Sequence, residues 1–249
     1  ECLLYGFVDT AFLRGRSPAL IAAQLCDGGA DLFQLRAKAS EVDDVRVMAA
    51  QVAKVTRAAG VGLVINDYVS VAREVGADVC HMGQEDFFGH GYKHVSQVRP
   101  AGSRLQIGLS THEPAQARIA IDAGADYIAI GPVYQTATKP EARPVTPDYV
   151  RWAAENVKVP WFVIGGINLD NLDDVLAAGA RRICVVSAIL NSEDITLACR
   201  KFKARLEAAG IEILREGYAP DGRSRALCRG DECPQLFVIF PARAGFNAA

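Results

Sequence analysis

The sequence has no apolar run near the ~20 residues that a membrane-spanning helix needs, so no bilayer span is expected. It has no excess of positive charge. The formal net charge of −2 argues against a nucleic-acid binder that relies on a broad basic surface. No basic-then-apolar leader follows Glu1, so no secretory signal is visible and a cytoplasmic location is expected. The stretch 4–16 lacks the Gly-rich first turn of a dinucleotide-binding open sheet. No Ser–His–Asp set for nucleophilic catalysis stands out. Cysteine is present but not organised. The seven cysteines are odd in number, and most sit among apolar residues, as in Val79-Cys80 and Ile183-Cys184-Val185, which fits reduced, buried thiols. Cys228 and Cys233 bracket Arg-Gly-Asp-Glu, and no second pair or nearby His completes a zinc site there.

What the sequence does have is a regular alternation. Short apolar runs at 3–8, 31–35, 62–65, 78–81, 105–109, 127–130, 161–164 and 183–186 suit strands buried on both faces. Amphipathic stretches such as 41–59, 114–123, 169–178 and 193–208 lie between them. Eight strands alternating with helices predict an α/β fold, a (β/α)8 TIM barrel, with a doubly wound open sheet as the runner-up. Gly28-Gly29-Ala30-Asp31, Gly76-Ala77-Asp78, Gly124-Ala125-Asp126 and Gly179-Ala180-Arg181 each end a helix and enter a strand, at intervals of roughly 50 residues, as a unit of two βα pairs would give. These turns belong to the N-terminal face of the barrel, and the active site is expected at the opposite face. The catalytic barrel is expected over 1–209. Beyond it, 210–249 loses its period and reads as an appended C-terminal tail, irregular or partly disordered, with one apolar run at 236–240. A chain ending near Gly210 is expected to fold and to keep its turnover.

The polar residues cluster at strand ends. In Gln34-Leu35-Arg36-Ala37-Lys38, alternation sends Gln34, Arg36 and Lys38 to one face. Two cations and an amide there need water or an anionic partner. Asp67 and Asp86 follow adjacent strands and are candidate metal ligands, because two carboxylates completed by phosphate oxygens and water are the usual Mg2+ arrangement. The competing readings are that Asp67 caps the helix that begins near Val69 and that Asp86 is a solvated loop acid. Thr136-Ala137-Thr138-Lys139 offers hydroxyls, backbone N–H groups and an ammonium to a phosphate. Gly165-Gly166 reads as a turn or as a close backbone approach to a ligand. Val186-Ser187 ends the last strand, where this fold habitually binds phosphate. His112 is an acid or base candidate and Ser110 a hydrogen-bonding one, unless both only satisfy nearby backbone. His81 reads as a packed, satisfied core histidine.

Taken together, the chain resembles the thiamine-phosphate synthase family from about Leu4 to Ala208. The matching stretches are Gln34-Leu35-Arg36-Ala37-Lys38, Asn66-Asp67, His81-Met82-Gly83-Gln84-Glu85-Asp86, Ser110-Thr111-His112, Gly131-Pro132 through Lys139, Ile164-Gly165-Gly166-Ile167 and Val186-Ser187-Ala188-Ile189. The resemblance implies a transferase that joins 4-amino-2-methyl-5-(diphosphooxymethyl)pyrimidine to a thiazole phosphate, releasing diphosphate, with Mg2+ as cofactor. It implies that Gln34, Leu35, Arg36, Ala37, Lys38, Asn66, Ser110 and Lys139 hold the pyrimidine diphosphate, with Arg36, Lys38, Ser110 and Lys139 acting in catalysis. It implies Asp67 and Asp86 as Mg2+ ligands, and Thr136, Ala137, Thr138, Gly166, Val186 and Ser187 as the thiazole-phosphate site. The partners implied are these small molecules, not nucleic acid or membrane, with homo-oligomerisation left open. Where Thr146 stands, the family commonly has Gly, so the anchor of the preceding loop is expected to differ. Two other readings compete: a thiazole tautomerase-like isomerase using His112 as a proton shuttle, and a non-catalytic phosphate-ligand-binding barrel. The first leaves the charges of Asp67, Asp86, Lys38 and Lys139 without a purpose, and the second requires a lost polar group.

Overall fold

A computed structural model of the chain describes residues 2–99, 101–136 and 143–216. Eight strands run in chain order: β1 (Leu4–Asp9), β2 (Leu32–Arg36), β3 (Gly62–Asn66), β4 (Val79–Gly83), β5 (Gln106–Thr111), β6 (Tyr127–Ile130), β7 (Trp161–Val163) and β8 (Ile183–Cys184). Each pairs in parallel with the next, and β8 pairs with β1, so the sheet closes into the expected barrel. Nine α-helices of the described residues accompany the strands: α1 (Pro18–Asp27), α2 (Val42–Ala59), α3 (Val69–Glu74), α4 (Gln84–Gly89), α5 (Pro114–Asp122), α6 (Thr146–Asn156), α7 (Leu172–Ala177), α8 (Ser187–Leu190) and α9 (Ile195–Glu216).

The strands are apolar because both of their faces are covered. All six residues of β1 are buried, and so are all four of β6. One face points into the barrel and the other meets the helices. In α2 the buried residues Val45, Ala49, Val52, Ala53 and Thr56 follow a spacing of three and four, which lays one stripe on the sheet. The barrel interior is filled by large rings, with Tyr5, Phe162 and Tyr127 in mutual edge contact at 5.2–6.4 Å between centroids. Burying rings of this size stabilises the fold by roughly 2–3 kcal/mol each. Gly108 makes room for one of them, since a Cβ there would stand 2.2 Å from the Tyr127 ring.

The Gly-Ala-Asp turns have a structural reason beyond the glycines. Asp31 accepts from the N–H groups of Leu3 and Leu4 at 2.9 Å, Asp78 from Leu63 at 2.9 Å and Asp126 from Ile107 at 2.7 Å. Each carboxylate at the entry of an even-numbered strand therefore clamps the start of the odd-numbered strand before it. The period of two βα pairs seen in the sequence is this clamp repeated. The fourth turn has Arg181 in place of the Asp.

Two elements differ from expectation. β8 is only two residues long, because Val186 leaves extended geometry with φ −110° and ψ −86°, and α8 begins at Ser187. The last helix runs on through Gly210 to Glu216. The apolar run 236–240, Cys228 and Cys233 lie outside the described residues. Of the other cysteines, Cys2, Cys80, Cys184 and Cys199 are buried free thiols and Cys26 is half-buried. Among the described residues no helix is long and apolar enough to cross a membrane.

Candidate active site

A cavity of about 1090 Å³, open solvent at its mouth included, is lined by residues from all eight strands or the turns that follow them. It lies at the C-terminal ends of the strands, as the fold predicts. Gln34, Arg36 and Lys38 all line it. Leu35 and Ala37 do not: alternation puts both side chains in the buried core. Arg36 has an anionic partner that the sequence reading missed. Its guanidinium donates to Asp9 Oδ2 at 2.7 Å, from the residue directly opposite in the β1–β2 register. Asp9 is almost wholly buried, and its other oxygen accepts from Ala11 N–H at 3.0 Å. The available signal was an acid closing an otherwise apolar strand.

Asp67 sits just past β3 with φ +65°, in the left-handed region. It does not cap α3, whose N-terminal Tyr68 also makes no side-chain cap bond. Instead Asp67 Oδ2 accepts from Asn66 Nδ2 at 2.6 Å and faces Lys38 Nζ at 3.6 Å. Oδ1 is buried and has no hydrogen-bond partner among the described residues. A buried carboxylate oxygen left without a donor is costly, and a cation would satisfy it. Asp86, in the first turn of α4, lines the same cavity. No group of three or more His, Cys, Asp or Glu suited to a metal occurs among the described residues. Two carboxylates suit a hard cation that takes its remaining ligands from phosphate and water, so this donor set fits Mg2+.

Deeper in the barrel, hydrogen bonds link five side chains from five strands. Gln34 Nε2 donates to Tyr5 OH at 2.7 Å, and Tyr5 OH meets Tyr127 OH at 3.2 Å. Tyr127 OH meets His81 Nδ1 at 2.9 Å, and His81 Nε2 meets Ser110 Oγ at 3.1 Å. His81 is thus the satisfied core histidine expected from its setting, and it also lines the cavity. Complete burial holds the Tyr5 and Tyr127 hydroxyls well above the ordinary phenol range.

Across the mouth, the turn after β6 packs on the end of β7. Val133 N–H donates to Ile164 O and Tyr134 N–H to Gly165 O, both at 3.0 Å. Gly165 has φ +106°, and a Cβ there would meet Pro132 at 2.3 Å, so only glycine allows this approach. The contact brings Thr136 and Gly166 to the cavity, with Val186 and Ser187 completing that side. Ala137, Thr138 and Lys139 lie outside the described residues. His112 lines the cavity, donates from Nδ1 to Gly131 O and holds Nε2 3.7 Å from Glu85.

Residues 4–189 match the family profile described as thiamine monophosphate synthase. The chain belongs to that family. A thiamine-phosphate synthase from Halalkalibacterium halodurans is 37% identical over 210 residues, 84% of this chain and 97% of its own. One from Thermus thermophilus is 43% identical over 184 residues, 72% of this chain and 84% of its own. Among solved structures, a thiamine phosphate pyrophosphorylase from Pyrococcus furiosus superposes with a TM-score of 0.74 at 28% identity, covering 84% of this chain and 96% of that one. Thiamine monophosphate synthase family membership thus extends over nearly the whole barrel. A 3-hexulose-6-phosphate synthase shares the fold alone, with a TM-score of 0.55 at 16% identity.

Proposed function

We propose that this protein is a thiamine-phosphate synthase joining 4-amino-2-methyl-5-(diphosphooxymethyl)pyrimidine to a thiazole phosphate. The observation that carries the reading is one cavity lined by Arg36, Lys38 and Asp67, in which Lys38 faces the Asp67 carboxylate and the buried Asp67 Oδ1 has no donor among the described residues. Family membership and the names of its relatives support the same activity. Gln34, Asn66 and Ser110 take the pyrimidine end, with Lys139, in the stretch of sequence after β6, assigned to the diphosphate. Thr136, Thr138, Gly166, Val186 and Ser187 take the thiazole phosphate.

In the reaction, the bond from the pyrimidine's exocyclic carbon to diphosphate oxygen breaks, and its electron pair leaves with the diphosphate. The thiazole nitrogen supplies the pair for the new carbon–nitrogen bond. No protein nucleophile is needed. Asp67 and Asp86 would hold Mg2+, which when bound would supply positive charge against the leaving diphosphate. Arg36 and Lys38 add positive charge where the leaving group gathers its own. Asp9 keeps the Arg36 guanidinium fixed, so that little reorganisation remains for the moment of reaction. The closed barrel beneath holds both substrates close and keeps water from the reactive carbon.

The test is to incubate the pure protein with each substrate alone and with both. Diphosphate and thiamine phosphate should appear in equal amounts only with both. Isomerisation of a thiazole phosphate alone would make the protein a tautomerase, and binding without turnover would make it a ligand-binding barrel.

A further inference from the structure

The chain of hydrogen bonds from Gln34 to Ser110 has a direction, and the amide at its start sets it. Tyr5 OH accepts the Gln34 N–H at 2.7 Å, so the single Tyr5 proton is available to Tyr127. Tyr127 accepts it and turns its own proton to His81 Nδ1. A ring nitrogen that accepts carries no proton, so the His81 proton is on Nε2, where it is donated to Ser110 Oγ. Ser110 oxygen is then an acceptor within the protein, and its hydroxyl proton finds no acceptor among the described residues. With the Gln34 N–H toward Tyr5, the opposite direction fails at the start: Tyr5 would accept from both Gln34 and Tyr127, and its own buried proton would have no acceptor among the described residues, a costly arrangement. Burial keeps both phenols protonated, so each link has one proton to give.

We propose that Tyr5, Tyr127 and His81 are positioning residues that hold the Ser110 hydroxyl as an obligatory donor toward the bound substrate. None of the three needs to touch the reacting atoms. The substrate atom that Ser110 meets must be an acceptor, such as a ring nitrogen or a diphosphate oxygen. Here the inference rests on the proposed function, under which that substrate is the pyrimidine diphosphate.

The direction can be read without any substrate. Nitrogen-15 spectra of the full ligand-free chain, with His81 assigned through His81→Gln, should show a protonated Nε2 and a bare Nδ1. A proton on Nδ1 overturns the relay. In kinetics, Tyr127→Phe keeps the ring beside Gly108 and removes one link. It should lower kcat/KM for the pyrimidine diphosphate about tenfold and leave KM for the thiazole phosphate within about twofold. In a Ser110→Ala background the same substitution should change kcat/KM by less than about twofold, because the group it acts through is gone. Losses that simply multiply would show a general packing effect and sink the proposal. Tyr5→Phe breaks the relay one link earlier and carries the same expectations should Tyr127→Phe not fold. If the spectra show the bare Nδ1 but no diphosphate is released from the two substrates, the relay stands and the pyrimidine reading falls. If diphosphate is released and Nδ1 carries the proton, the relay falls alone.

Discussion

Arg36 and Asp9 face each other across the β1–β2 register and are joined at 2.7 Å, with the Asp9 side chain 2% and the Arg36 side chain 16% exposed. The cation that the proposed function assigns to the diphosphate is thus already half-committed to a buried carboxylate. The pair fixes where the guanidinium points, at the expense of part of its charge. Asp9→Ala leaves Arg36 without its partner and the turn at Ala11 without its acceptor. It should lower stability by roughly 3 kcal/mol, the low end for breaking a buried pair because Arg36 is partly exposed, and raise KM for the pyrimidine diphosphate. Chemical denaturation and steady-state kinetics on one preparation would check both; an unchanged KM would show that Arg36 keeps its place without Asp9.

Metal dependence separates charge from backbone at Asp67. Because its φ is +65°, Asp67→Ala mixes loss of a ligand with about 1–2 kcal/mol of backbone strain. Asn tolerates that conformation, so Asp67→Asn should leave the melting temperature nearly unchanged while turnover falls at least about a hundredfold, as expected for loss of a charged ligand. Chelation of the wild type should abolish diphosphate release, and added Mg2+ should restore it. Full turnover in excess chelator would remove the metal from the mechanism.

The two sides of the cavity should respond differently. Ser187→Ala removes a hydroxyl from the Val186–Ser187 side and should raise KM for the thiazole phosphate about tenfold or more, the worth of one hydrogen bond to a charged group. KM for the pyrimidine diphosphate should stay within about twofold. Equal effects on both would mean that the division of the cavity is wrong.

Thr146 stands at φ +61°, a region that strains a β-branched residue. A glycine at this position would occupy that region freely. Thr146→Gly should therefore raise stability by up to about 1 kcal/mol, the strain relieved being offset in part by the entropy of a more flexible unfolded chain. A lower melting temperature would show that the threonine side chain contributes more than its backbone costs.

Alkaline pH should unfold the barrel from within. Burial pushes the Tyr149 hydroxyl, bonded to Thr111 Oγ1 at 2.8 Å, up to about 12, and raises Tyr5 and Tyr127 well above their usual range. The folded state holds these protons more tightly than the unfolded chain. The Tyr149 contribution is complete below the ordinary value of 10 and is lost as pH rises through about 12, and those of Tyr5 and Tyr127 are likewise complete below 10 and lost at higher pH. Each such group should lower stability by up to roughly 1.4 kcal/mol per pH unit in that window. Denaturation midpoints at pH 8 and 11 would test this; equal midpoints would contradict it.

The fold was readable because both faces of each strand are covered, which leaves apolar runs that composition alone reveals. Gln34, Arg36 and Lys38 were readable from alternation, and Asp67 and Asp86 from their places after adjacent strands. Asp9 and the Tyr5–Tyr127–His81 relay were not. A tyrosine inside an apolar strand looks like any other core ring, and its hydroxyl partner is chosen only when strands far apart in sequence close into one circle. Tyr5 and Tyr127 meet because β1 and β6 share an interior, which no local pattern records. That Asp67 does not cap α3 likewise shows only with the backbone in view.

Closure also has a consequence in time. The ring is sealed by two register pairs, Leu4 with Ile183 and Tyr5 with Cys184, and Ser187 follows the last strand. A ribosome delivers ~5–20 residues per second, so several seconds or more separate the emergence of Asp67 from that of Ser187. Throughout that interval no complete pocket exists for either substrate, and binding cannot stabilise the nascent chain by mass action. The unfinished sheet meanwhile presents open edges that can pair with other chains. Newly made molecules of this protein are therefore at greatest risk of aggregation before β8 emerges, and supplying substrate to the cell should rescue destabilised variants only after synthesis is finished.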